Sequence, residues 1–220
     1  MARISKDPIE RKNEILQAAE HFFKHKGYER TSISDIVKHI GVAQGTFYYY
    51  FKSKEEIAEA LIDNILQRDL ATIERIAEDP AQSGYQKMLR ILIDNFAHRG
   101  EDKAVHYLHH ENNAVLHQKL LVKTVKAFTP PMTSVIEQGN QEGDFHASHP
   151  RTVAEFLLVS MLFLFDPGIF SWSTQEVLDK LVGISDILEN LLGTAKGAFD
   201  IKLLPELSRV IGNIANNWSE

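Results

Sequence analysis

Apolar residues recur along this chain at intervals of three and four. No stretch alternates with period two, so the pattern predicts helix throughout. In a first helix over 9–26, Ile15, Ala18, Ala19, Phe22 and Phe23 fall on one stripe, and Gly27 stands where a helix-ending glycine belongs. A short second helix begins after Thr31. Ser32 and Asp35 are spaced as a capping box with a shortened acidic partner, and Ile33, Ile36, Val37 and Ile40 supply the buried face. Gly41 closes it and Val42 turns inward. A third helix over 44–51 points Phe47 and Phe51, one turn apart, to the core. Ser53 caps a fourth, whose positive end Glu55 and Glu56 favour and which continues to about residue 78.

Further helices are expected over 84–97, 102–112, 115–142, 150–165, 174–192 and 204–217. Thr129-Pro130-Pro131 should kink or split the third of these, because proline lacks the amide hydrogen that the helix needs. Asp166-Pro167-Gly168 reads as a loop, and there is no internal repeat. The expected fold is all-α: a three-helix head over 1–53 and a larger helical body over 54–220.

Composition narrows the function. The 220 residues include no cysteine, which removes disulfides, thiolate nucleophiles and cysteine-bound zinc together and suits a reducing compartment. The N-terminus has no apolar run of a secretory signal. The uncharged run over 156–165 is too short to span a bilayer. A cytoplasmic protein without a membrane partner is expected. Net charge is −6, yet residues 1–52 carry nine Lys or Arg against six Asp or Glu, a net +3 that leaves −9 on the remainder. A basic head on an acidic body suits a reader of nucleic acid.

Two short helices joined by a glycine-bearing turn, after a longer bracing helix, make a helix-turn-helix, whose second helix enters the major groove. Opposite Phe47 and Phe51, that helix would present Gln44, Gly45, Thr46, Tyr48, Tyr49 and Tyr50. Gln44 can pair with an adenine edge, and the Thr46 methyl can meet thymine. Gly45 lets backbone approach a phosphate. Thr31 and Ser32, at the start of the second helix, and the tyrosine hydroxyls would hold phosphates, with Lys54 adding charge at the edge. Tyr48 suits half-buried packing equally well. Three adjacent aromatics on one short helix cannot all face one core.

The residues Ile15-Leu16-Gln17-Ala18-Ala19, Phe22-Phe23, Gly27-Tyr28, Thr31-Ser32-Ile33-Ser34-Asp35-Ile36, the 41–51 turn and helix, and Lys52-Ser53-Lys54-Glu55 follow one another without a gap. Over Ile15 to Leu61 the chain resembles the TetR family of transcriptional regulators. The resemblance implies an all-helical homodimer, mostly a repressor, with a DNA-binding head and a body that takes a small-molecule effector. By position it assigns Gln44, Gly45, Thr46, Tyr48, Tyr49 and Tyr50 to the recognition helix and Lys54 to the DNA backbone. The commonest family variant has histidine where this chain has Tyr50.

In the body, Val177, Leu181, Ile184, Leu188 and Leu191 form a seam spaced 4, 3, 4, 3. Leu157, Leu158, Met161, Leu162 and Phe165 make a second apolar face. These two faces suit a four-helix dimer bundle, with Leu158, Met161, Phe165, Val177, Leu181, Ile184, Leu188 and Leu191 at the interface, or an intrachain core. Phe96, Tyr107, His110, Phe128, Met132 and Phe163 are candidate effector contacts, or ordinary core. His106 and His110 could share one helical face, but no third ligand is apparent, and neither a metal nor a cofactor is assigned. No nucleophile elbow, phosphate-binding glycine loop or HExxH pattern points to an enzyme. The leading expectation is a homodimeric repressor released from double-stranded operator DNA by a small molecule. An activator or constitutive regulator is the alternative.

Overall fold

A computed structural model describes residues 7–97, 106–166 and 168–199 of the chain. The expected helix over 204–217 lies outside the described residues, as do the side chains of Phe96 and His106. Among the described residues, eight α-helices run in order: α1 (Pro8–Lys26), α2 (Ile33–His39), α3 (Gln44–Tyr50), α4 (Lys54–Ala77), α5 (Gly84–Ala97), α6 (Ala114–Glu142), α7 (Pro150–Leu164) and α8 (Thr174–Leu192). Among the described residues there is no strand, and no helix is long and apolar enough to cross a membrane.

The helix starts follow local chemistry. Asp7 caps α1, accepting from the Ile9 N–H at 2.8 Å, with Pro8 in the first turn. Ser32 and Asp35 form the capping box of α2 in both directions. Ser173 and Glu176 do the same for α8, which ends at Gly193 in the left-handed conformation.

Two expectations change. Residues 106–113 are two 3-10 turns, His106–His109 and Glu111–Asn113, instead of an α-helix. The i, i+4 placement of His106 and His110 on one α-helical face is therefore not formed. Helix α6 also runs through Pro130 and Pro131 unsplit. The prolines remove two amide donors, but Phe128, Met132, Val135 and Ile136 are buried along α6, and that burial outweighs the lost bonds.

The chain forms two compact units, divided elsewhere than the expected border at 53/54. The first is Met1–Gln67 with Ala104–Leu120; the second is Arg68–Lys103 with Leu121–Glu220. The first unit keeps the early turns of α4 because Ile57, Ala58 and Ile62 are buried there. It also takes in Leu108 and Leu116, each 1% exposed, from far along the sequence. In the second unit a core cluster of Met161, Phe165, Val177 and Leu181 is flanked by Ile93, Leu164, Trp172, Leu178 and Ile184.

Candidate nucleic-acid interface

The interface is built on the side of α3 that the core rejects. Phe47 and Phe51 are buried, with ring centroids 6.2 Å apart. A helix turns about 100° per residue, so burying position 47 directs the next two side chains outward. Tyr48 is 51% exposed and Tyr49 79%. Gln44 and Gly45 are exposed, and Thr46 and Tyr50 are half-buried. The Tyr49 and Tyr50 rings meet edge to face at 4.9 Å, which stiffens the aromatic end of the helix. A Cβ on Gly45 would meet nothing within 4 Å, so that backbone is open to a large ligand.

The turn before α3 needs Gly41, whose φ is +69°. The Val42 N–H then donates to the Val37 carbonyl at 3.0 Å and locks the turn onto α2.

The hydroxyls of two expected phosphate contacts are bonded to other groups of the protein. Thr31 is 3% exposed, and its hydroxyl donates to the Gly27 carbonyl at 2.7 Å. It staples the entry to α2 and has no face toward a phosphate. Ser32 is exposed, but its hydroxyl donates to Asp35 Oδ2 at 2.8 Å and accepts the Asp35 N–H at 3.2 Å. Lys54 is divided. Its ammonium donates to the carbonyls of Tyr28 and Glu29 at 2.8 and 3.3 Å and lies 4.2 Å over the Tyr28 ring. Two of its three donors therefore go to the protein.

Asp35 anchors the start of α2. A bond from the Lys26 ammonium at 2.6 Å, then those from the Ser32 backbone and hydroxyl, hold its carboxyl well below the usual aspartate range. Tyr28, one residue of the Gly27-Tyr28 motif, is a hub. Burial first, and the nearby Glu55 carboxylate second, push its phenol well above the ordinary range. It stays protonated and donates to Glu55 Oε1 at 3.2 Å.

The expected effector residues are divided between the two units, and the expected dimer residues belong to the second. Tyr107 is buried in the first unit, beneath the Lys24 ammonium at 5.3 Å, and His110 is exposed there. Phe128 and Met132 are core residues of the second unit. Phe163 is 50% exposed and meets the edge of Phe170 at 5.6 Å. The 3-10 turns instead bring the rings of His109 and His117 to 4.8 Å, a pair that spacing on a straight helix could not suggest.

On α7 and α8, Leu158, Met161, Phe165, Val177, Leu181 and Leu188 are all at most 8% exposed within the single chain. They are intrachain core, which leaves them little area for a partner; Ile184 and Leu191 are half-buried. The apolar residues facing outward are Phe156, Val159 and Phe163 on α7 and Val182 and Ile187 on α8, each between 46% and 52% exposed.

Comparison with known proteins agrees with this geometry. Residues 15–61 match the family described as bacterial regulatory proteins, tetR family. Residues 86–187 match a tetracyclin repressor-like C-terminal domain. The chain is 46% identical over 81 residues to the uncharacterized HTH-type transcriptional regulator YvdT of Bacillus subtilis; that match covers 36% of this chain and 40% of YvdT. It is 29% identical over 157 residues to YfiR of the same organism, covering 67% of this chain and 75% of YfiR. Its fold is that of SmeT, the repressor of the Stenotrophomonas maltophilia multidrug efflux pump SmeDEF, at 18% identity and a TM-score of 0.61 over 85% of this chain and 92% of that one. SmeT has also been solved as a complex with triclosan, likewise similar at 19% identity and a TM-score of 0.60 over 86% of this chain and 94% of that one.

Proposed function

This chain belongs to the tetR family of bacterial regulatory proteins, transcriptional regulators and not enzymes, and we propose that it is a homodimeric repressor that leaves its operator when a small molecule binds its body. The observation that carries the reading is the outer face of α3: Tyr49 is 79% exposed while Phe47, two residues earlier, is fully buried. A short helix that offers Gln44, Thr46 and the tyrosines to solvent has the chemistry of base and phosphate contact. Lys12 and Lys52, on the same unit, supply positive charge for the phosphates.

A dimer follows from symmetry and from α7 and α8. One such head offers few specific contacts, and a two-fold doubles them at two half-sites. Phe156, Val159, Phe163, Val182 and Ile187 form the outward apolar face for the partner. Operator DNA places the protein in the cytoplasm. Release requires the effector to favour the non-binding state by a real difference in affinity. That SmeT is a repressor with a triclosan complex supports the repressor reading and a small-molecule effector here.

The test begins with purified full-length protein and a library of genomic fragments. Retained fragments are sequenced, and affinity for the strongest is measured by anisotropy. A compound panel is then added. Release of the fragment by one compound supports the repressor. A fragment that no compound releases favours the constitutive reading, and a protein that retains no fragment overturns DNA binding.

A further inference from the structure

Asn113 enters the DNA-reading unit from the other half of the sequence. It closes the second 3-10 turn, just before α6, and is 2% exposed. It lies within the stretch matched by the C-terminal family domain, and outside the stretch matched by the head. Both its amide hydrogens and its amide oxygen are engaged. Oδ1 accepts the Tyr28 N–H at 2.7 Å, and Nδ2 donates to the Phe23 carbonyl at 3.1 Å and the Tyr107 carbonyl at 2.9 Å. Phe23 is among the last four residues of α1, whose carbonyls have no helical N–H to accept. Asn113 therefore closes the end of α1, the turn after it, and its own 3-10 turn in one buried group.

The turn it grips controls the elements on both sides of α3. The Tyr28 carbonyl accepts the Thr31 N–H at 3.2 Å, which sets the entry to α2. It also accepts the Lys54 ammonium, and the Tyr28 hydroxyl holds Glu55, which sets the first turn of α4. The neighbouring Gly27 has φ of +86°, and a Cβ there would lie 2.6 Å from the Asn112 Cβ. The 3-10 segment is thus seated directly on the α1–α2 backbone.

We propose that Asn113 is a positioning residue for DNA binding: a strap from the second half of the sequence that holds the α1–α2 turn, and through Tyr28 fixes the angle at which α3 is presented. It touches no DNA. The proposal rests on the DNA-binding reading above.

The test uses the full chain with Asn113→Ala and Asn113→Asp, the second keeping the acceptor for Tyr28 and losing both donors. Three quantities are read: hydrogen exchange of the Tyr28 amide, affinity for the selected operator fragment, and affinity for unrelated DNA. In Asn113→Ala the Tyr28 amide should exchange at least tenfold faster. Operator affinity should fall tenfold or more while affinity for unrelated DNA is kept, since the charges stay in place. Asn113→Asp should retain more Tyr28 protection than Asn113→Ala. A parallel loss of both affinities would show general unfolding and overturn the positioning role, as would unchanged operator affinity. Should neither variant fold, the wild type decides: a Tyr28 amide that exchanges as fast as an open loop overturns the strap, and one as slow as those of α2 supports it. A wild-type protein that retains no fragment defeats the DNA-binding reading itself, while Tyr28 protection still reports on the strap.

Discussion

Phe47 and Tyr49 stand two positions apart on α3 and on opposite sides of it, the first fully buried and the second 79% exposed. The two should separate stability from binding. Tyr49→Ala should leave the melting temperature close to wild type, since exposed substitutions change stability by about 0.5 kcal/mol or less. It should weaken operator binding about tenfold. Phe47→Ala should cost about 3–5 kcal/mol and melt the head. Calorimetry and anisotropy on the same samples check both, and a Tyr49→Ala protein of wild-type affinity would remove this face from the contact.

The outward residues of α7 predict where the dimer can be broken. Phe156→Glu and Phe163→Glu should yield folded monomers by sedimentation, because both side chains are about half exposed in the single chain. Leu188 follows the expected seam but is 3% exposed. Leu188→Glu should unfold the second unit by burying an unpaired charge, and should not give a folded monomer. Folded Leu188→Glu monomers beside intact Phe163→Glu dimers would return the interface to the seam.

Acid should weaken the start of α2. The Lys26 ammonium, then Ser32, hold the Asp35 carboxyl below its ordinary range. A depressed folded value stabilises the fold above the unfolded value, about pH 4, and that stability is lost as pH falls further. Asp35→Asn should therefore be less stable than wild type at pH 7, and the difference should shrink steadily below pH 4. Urea midpoints across that range measure it, and a gap that stays constant would show that the carboxylate's charge is not the cause.

Binding should depend steeply on salt. Six to ten phosphate contacts would lower affinity by about 10³–10⁵ between 50 and 200 mM salt. Thr31→Val should leave this slope unchanged, since its hydroxyl is spent on the Gly27 carbonyl. Lys52→Ala, which removes an exposed charge, should reduce the slope by about one. A slope reduced by Thr31→Val would mean that this side chain turns outward on DNA.

Most of the head is legible in the chain because its information is local. The capping box of Ser32 and Asp35, the glycine turn at Gly41 and the one-turn spacing of Phe47 and Phe51 depend on neighbours within four residues. Periodicity can read such neighbours directly. The same periodicity found the apolar faces of α7 and α8 but could not say which neighbour covers them. Helix spacing shows that a face is apolar, and only packing shows that Leu188 faces its own chain while Phe163 faces outward.

The strap at Asn113 left no trace of that kind. It joins residues 85 and 90 positions apart, and a pair of asparagines between histidines carries no periodic signal. Thr31 and Lys54 looked like phosphate contacts by type and position, yet nearby carbonyls occupy the Thr31 hydroxyl and two of the Lys54 donors. Local residue order determined most of the described helices, the turns around α3 and its outward face. The tertiary fold alone decided which polar groups are spent inside the protein, because that depends on groups far apart in sequence meeting in space.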